Sequence, residues 1–239
     1  MSGTPIWKSI SLTLTEEIAQ GRYDTGSKLP AESQLAARFG VNRHTVRRAL
    51  AEMADKGLVH ARRGSGVFVA ASPTDYPLGK RVRFRQSLRA AGRSPGGQLL
   101  AITTRGADTK EAEALALSPG APVHVTDSLS LADGQPVAVA QSCFPADLFP
   151  EFPKVHQETQ SVTESFRKLG IADYTRAWTR LTAVAATPTQ ALHLRVKEGD
   201  PLLRSVSVNT APDGRPIEFG TTFFAGQRIT LTLSPDEFD

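Results

Sequence analysis

Residues 41–50, VNRHTVRRAL, gather three guanidinium groups, an imidazole, a hydroxyl and a carboxamide on one short segment. On a helix Arg43 and Arg47 leave from one face, one turn apart, with His44 beside them. A guanidinium fork fits guanine O6 and N7 or a phosphate, and Thr45 and Arg48 can reach bases or phosphates as well. Val46, Ala49, Leu50 and Met53 recur at i, i+3, i+4 and i+7, which marks a second, core-facing stripe. A solvated basic face is the plainer reading of an arginine pair, and the next segment argues against it. LVHARRGSGVFVA, residues 58–70, reads as two short strands around a glycine turn, with Arg62 and Arg63 at the tip. Gly64 and Gly66 allow a tight turn and close approach to another surface. A basic helix followed by a basic hairpin suits the major groove and the phosphates beside it.

Catalytic groupings do not stand out. The histidines at 44, 60, 124, 156 and 193 lack metal-ligand spacing, and there is no HExxH or CxxC. No GxSxG elbow is present, and the GSG of the hairpin lacks the context of a phosphate loop. Cys143 adjoins an apolar run and reads as a packed hydrophobe. As the single cysteine it forms no internal disulfide, which fits a reducing cytoplasm. No apolar run is long enough for a membrane span. No cofactor is expected.

The basic residues need a body to hold them. Ile6, Ile10, Leu14 and Ile18 recur every four residues and predict a first helix, stopped at Gly21. Leu35, Ala36 and Phe39 predict a short second helix, weakly capped by Ala31 and ended by Gly40. Asn42 is a good cap for the third, which Gly57 ends. Two short helices across a glycine turn have helix-turn-helix spacing. Charge is divided along the chain. Residues 1–70 carry net +4, residues 71–105 net +6 and residues 106–239 net −6. A basic front and an acidic rear point to an anionic polymer as partner of the front.

Residues 72–96 form a basic linker and the start of a second domain, with Pro73 and Pro77 excluding helix there. Its arginines, Arg83 and Arg85 among them, are open to three readings: phosphate contacts, an inward-facing anion site, or a solvated helix face. Phe84 and Leu88, one turn apart, should pack on the second domain. Residues 97–235 hold an internal repeat. EAEALALSPGAPVHVTDSLSLADGQPVAVAQSCFP and TQALHLRVKEGDPLLRSVSVNTAPDGRPIEFGTTFFA each give a helix, G-x-P, a strand, a D-G-x-P turn and a returning strand. Helix TQSVTESFRKLG stands between the copies. An α+β domain on an antiparallel sheet is predicted.

SKLPAESQLAARFGVNRHTVRRALAEMADKGLVHARRGSGVFVA, with the helix before it, closely resembles the DNA-binding domain of the GntR family of bacterial transcription regulators. The resemblance implies a winged helix-turn-helix over residues 1–71, with DNA contacts at Arg43, Thr45, Arg47, Gly64 and Arg63. Ser33 stands where the family often has an arginine, so that contact is weaker or different here. The remainder resembles the UTRA ligand-sensing domain of the HutC subfamily, a fold related to chorismate lyase. This likeness implies effector binding and dimerisation by residues 97–239, with a pocket at Arg85, Gln86, Ser128, Ser130, Ser161, Thr163, Glu218, Thr222 and Phe224. Many relatives place arginines at the positions of Ser128 and Ser130. Arg85 is a candidate for the missing charge, and plain strand filling is the other reading of the serines. NRHTVRRAL, DYPL and RFRQSLRAAGRSPGGQLL are most similar to regulators of phosphonate use. The implied protein is a repressor that binds a two-fold operator as a homodimer and senses a phosphonate or phosphate ester. The alternatives are a relative sensing another anionic metabolite, a non-specific nucleoid-binding protein, and a chorismate-lyase-like enzyme with a basic appendage.

Overall fold

The computed structural model describes residues 5–24, 26–62, 64–70, 73–81 and 83–233, with Arg62 described by its backbone. The chain folds as two compact units that divide between Ser72 and Pro73. The basic stretch from Pro73 onward therefore folds with the second unit.

In the first unit, helices α1 (Ile6–Ala19), α2 (Glu32–Phe39) and α3 (Arg43–Asp55) precede strands β1 (Val59–Arg62) and β2 (Gly66–Val69). Ile10 and Leu14 of α1, Leu35 of α2, Val46, Leu50 and Met53 of α3, and Val59 and Val69 of the hairpin share one core. The predicted four-residue stripe on α1 is only partly buried, and Ile6 is exposed. Four residues turn a helix by 400°, so such a stripe drifts about 40° at each step and cannot keep both ends inward. Glu17 is buried on the same helix instead. Its carboxylate accepts from Arg22 and, across to α2, from Arg38. The Arg38 guanidinium holds the Glu17 carboxyl below its usual range.

The second unit begins with β3 (Thr74–Pro77) and α4 (Phe84–Ala90). β4 (Pro95–Gly106), α5 (Thr109–Leu115), β5 (Pro122–Ala132) and β6 (Gln135–Pro145) follow. Helices α6 (Phe152–Thr159) and α7 (Val162–Lys168) lead to β7 (Thr175–Ala185), α8 (Pro188–Leu194), β8 (Pro201–Thr210), β9 (Pro216–Ala225) and β10 (Ile229–Thr232). The main sheet has order β4-β5-β6-β9-β8-β7 and is antiparallel throughout. The architecture is α+β, as the sequence predicts. The repeat is one strand longer per copy than its motif indicates, because β4 and β7 each precede the helix of their copy. Copy one is β4-α5-β5-β6 and copy two β7-α8-β8-β9, joined β6 to β9 at the centre of the sheet. Both repeat helices start at capping boxes, Asp108 with Glu111 and Thr187 with Gln190. Both end in a left-handed residue that is not glycine, Ala116 and Arg195. The predicted helix TQSVTESFRKLG is α7, with α6 just before it.

Alternation sorts the two faces of the sheet. Val123 and Val125 of β5 and Phe219 of β9 pack with Ala112 and Leu115 of α5. Leu129 and Phe223 pack with Leu194 of α8. On the other face Phe144 stacks on Phe152 of α6 at 4.0 Å between ring centroids, and Phe166 of α7 meets Phe144 edge-on. Leu88 of α4 is fully buried beside Phe84 and Phe224, as expected. A small second sheet pairs β3 with β10 in parallel, the one departure from antiparallel pairing among the described strands.

Glu111, on α5 of the first copy, is buried. It accepts two bonds from Arg105 (2.6 and 2.7 Å), one from the Asp108 N–H and one from the Cys143 thiol at 3.0 Å. These donors, Arg105 first, hold its carboxyl down to about 2. Burial, with Glu111 alongside, pushes the Cys143 thiol well above its usual range, so this cysteine is an inert packed donor. A carboxyl lower in the folded state than in the unfolded one stabilises above about pH 4.5 and loses that contribution as pH falls toward 2. Glu111→Gln is expected to cost about 2–3 kcal/mol at pH 7 and to flatten the loss of stability between pH 4.5 and 2. Urea unfolding followed by Trp178 fluorescence in a Trp7→Phe background measures both.

Candidate nucleic-acid interface and ligand cleft

The third helix is fixed at its start by Asn42, whose side chain accepts from the Thr45 N–H at 2.9 Å and from the Thr45 hydroxyl at 3.0 Å. Gly40 supplies the left-handed turn before it (φ 65°). At α2, where Ala31 offers no capping side chain, the Gln34 carboxamide accepts from the Ala31 N–H at 2.8 Å. With α3 anchored through Val46, Ala49, Leu50 and Met53, its first turn projects Arg43 and His44 into solvent. Arg43 makes no hydrogen bond or ion pair among the described residues, so its five donors are open.

Arg47 is also exposed, at 64% of its side chain, but it is held. Its Nε and Nη2 donate to the two Glu32 oxygens at 3.1 and 2.7 Å. Arg47 keeps the Glu32 carboxyl below its usual range. This fork ties the first turn of α2 to α3 and fixes the direction of the guanidinium. Arg48, read from sequence as a base or phosphate contact, lies over the Trp7 ring of α1 at 4.5 Å, a cation–π contact within the three-helix body. Ser33 is exposed on the first turn of α2. β1 and β2 pair from Val59–Val69 to Arg62–Gly66, and Gly64 sits at the tip with φ 75°. Arg63 and the side chain of Arg62 fall outside the described residues.

In the second unit a cleft of about 1120 Å³ opens between the sheet and α4, α6 and α7. All ten residues named from the sequence line it: Arg83, Arg85, Gln86, Ser128, Ser130, Ser161, Thr163, Glu218, Thr222 and Phe224. Its floor is paved with small side chains, because Ser128, Ala138, Ala140, Ser142 and Thr222 come side by side in the ladder, with Gly220 beside Ser142. A Cβ on Gly220 would stand 3.3 Å from Ser142 Oγ, so glycine keeps that space open.

The cationic groups of the cleft are in different states. Arg83 donates to Asp173 at 2.9 Å and to the Tyr174 carbonyl at 2.8 Å, and lies 3.6 Å above the Tyr174 ring. Arg81 bonds the same Asp173 at 3.0 Å, and these partners, Arg81 first, lower its carboxyl. Arg85 donates to the Gln160 carbonyl at 2.6 Å. Ser161 caps α7, and Thr163 bonds the Tyr174 hydroxyl at 2.9 Å. Arg176, Tyr174, Asn209 and His156 also line the cleft and were not singled out from the sequence. His156 is buried, meets Ser165 Oγ at 3.0 Å, and is pushed down to about 4 by burial and by Arg85. It is therefore neutral near pH 7. Among the described residues no group of His, Cys, Asp and Glu could hold a metal ion. No described helix is long and apolar enough to cross a membrane.

A helix-turn-helix with a two-stranded wing, joined to a sheet domain with a polar cleft, defines a DNA-binding regulator with a sensing domain. Comparison with known families agrees. Residues 8–69 match the model of bacterial regulatory proteins of the gntR family, and residues 90–230 match the UTRA domain. The chain is 36% identical to the HTH-type transcriptional regulator RB1450 of Rhizobium meliloti strain 1021, over 97% of this chain and 95% of that one. It is 33% identical to the "Probable transcriptional regulator PhnF" of Escherichia coli K12, over 95% and 94%. Among solved structures, PhnF from Mycobacterium smegmatis superposes with a TM-score of 0.64 at 28% identity, covering 95% of this chain and 97% of that one. The chain belongs to the GntR family of bacterial transcription regulators, in its HutC-type branch with a UTRA domain. These relatives and folds are regulators, not enzymes, which removes the lyase alternative.

Loss of the α3 cap tests how the reading helix is held. Asn42→Ala leaves the Thr45 N–H without its acceptor and is expected to cost about 1 kcal/mol of stability in the first unit. Urea titration followed by Trp7 fluorescence in a Trp178→Phe background gives the value.

Proposed function

We propose that the protein represses genes for uptake or breakdown of phosphonates or related organophosphorus compounds. A homodimer would lay two copies of α3 in successive major grooves of a two-fold operator. The observation that carries the DNA reading is the open Arg43 beside the Glu32-held Arg47 on a capped, exposed helix start. Arg43 reads a base edge, Arg47 arrives pre-oriented, and His44, Thr45 and the wing at Arg62, Arg63 and Gly64 hold the backbone. Ser33 adds a hydroxyl to a phosphate. Arg48 supports the body through Trp7 and meets phosphate only from that position.

The effector in this reading is a small anion in the cleft, with Arg81, Arg83 and Arg85 as its cationic wall. The likeness of NRHTVRRAL, DYPL and RFRQSLRAAGRSPGGQLL to phosphonate-use regulators supports a phosphonate or phosphate ester. Serines at 128 and 130, in place of the arginines of many relatives, disfavour a sugar phosphate clamped at that end. Binding acts on DNA through β3, which starts two residues after the first unit ends. A coupling of about 1–3 kcal/mol between the two sites is the usual scale.

Arg43→Ala is expected to cost about 1–3 kcal/mol on operator DNA from the protein's own upstream region and to relax base preference. Fluorescence anisotropy on operator and random duplexes checks this, and equal losses on both would move Arg43 to the phosphates. For the effector, thermal shift against phosphonates, phosphate esters and sugar phosphates is expected to single out the first two. At a hundredfold excess over Kd the gain is about 2.7 kcal/mol. Asp173 competes with the incoming anion for Arg81 and Arg83. Asp173→Asn is expected to tighten anion binding about two- to fivefold, the range of a partly exposed ion pair, and calorimetric titration reads it.

A further inference from the structure

The cleft holds two groups of opposite charge, the buried Glu218 and the half-buried Arg176, whose binding capacity the protein leaves partly unused. Glu218 is 9% exposed. Its oxygens accept from Ser142 Oγ at 2.8 Å and from Asn209 Nδ2 at 2.6 Å, both neutral donors. Among the described residues it has no ion-pair partner. A carboxylate has room for about four acceptor contacts, and burying it without a counter-charge is costly. Arg176 lies across the sheet from it. Its Nη1 donates weakly to Thr179 at 3.4 Å, and its Nε is buried with no partner. Arg176 pairs in register with Asn209, and Asn209 with Glu218, so the three occupy neighbouring strands β7, β8 and β9 and all line the cleft. Two strand spacings place the Cα atoms of Arg176 and Glu218 about 10 Å apart. The Asn209 side chain stands between them and keeps them from closing on each other. Tyr76 and Tyr174, both buried, line the same cleft and feel both charges.

We propose that the effector is a zwitterion, an aminoalkyl phosphonate or phosphate ester, with its anionic head on the arginines of the cleft wall, Arg176 among them, and its ammonium on Glu218. Side chains that reach inward from 10 Å leave room for charges a few ångströms apart, the separation across a two-carbon spacer. A purely anionic ligand would meet the buried carboxylate as repulsion, while a neutral one would leave both groups unsatisfied. The ammonium supplies donors to the spare Glu218 lone pairs. This assignment rests on the reading of the cleft as an anion-sensing site and narrows it to one chemical class.

The test is calorimetric titration of the full-length protein with 2-aminoethylphosphonate, ethylphosphonate, O-phosphoethanolamine and ethyl phosphate. At least tenfold tighter binding of either amine-bearing ligand than of its amine-free partner is expected, and the tighter of the two amines names the source. Glu218→Gln should bring that ratio to within about twofold, because it weakens the amine-bearing ligands and relieves the repulsion that ethylphosphonate meets. The wild-type ratio stands as a test even if the variant does not fold. Equal binding of amine-bearing and amine-free ligands would overturn the zwitterion assignment and leave the anion site standing. No binding by any of the four would overturn both.

Discussion

A guanidinium keeps its proton at any pH the protein meets, so every arginine near a binding surface needs an acceptor or open water. The fold is organised around that demand. Glu17 takes Arg38 and joins α1 to α2, and Glu32 takes Arg47 and joins α2 to α3. Glu111 takes Arg105, Asp133 takes Arg93, and Asp173 takes both Arg81 and Arg83. Against this background Arg43 and Arg176 gain meaning. Arg43 is open on the outside, where a polyanion can reach it. Arg176 lines the cleft, with its Nε buried and unpartnered among the described residues.

Paired arginines are also positioned arginines. A lone exposed side chain of this length gives up rotamer freedom when it binds. Arg47 has already given up much of it to Glu32, and Arg83 is fixed between Asp173, the Tyr174 carbonyl and the Tyr174 ring. The protein spends acceptor groups to hold donors in place, and a ligand anion that takes Arg81 or Arg83 does so by exchange with Asp173.

Much of this was legible in the sequence, because much of it is local. The cap at Asn42, the turn at Gly40 and the D-G hairpins all depend on neighbours a few residues apart. The cleft lining was legible through likeness to a family and through strand alternation, which puts Ser128, Ser130 and Thr222 on one face. What stayed hidden is non-local. Glu32 and Arg47 are fifteen residues apart, and Arg83 and Asp173 ninety. Arg176 and Asn209 carry no motif, and only the β7-β8-β9 register brings them to Glu218. The outer strands β4 and β7 escaped the repeat because their exposed, mixed side chains leave no hydrophobic alternation to follow. The Arg48–Trp7 contact joins α3 to α1 across forty-one residues and carries no sequence signal.

The parallel pairing of β3 with β10 has a mechanical side. Both strands join their neighbouring chain at the same end, β3 toward Ser72 and β10 toward Arg228. Tension arriving along the chain from Ser72 therefore meets the ladder one rung at a time, from Thr74–Ile229 inward, rather than loading every rung together. The first rung is also the reinforced one, since the Thr74 N–H donates to the Arg228 carbonyl and the Thr74 hydroxyl accepts from Arg93. Parting such a seam from this end breaks its best-held rung first.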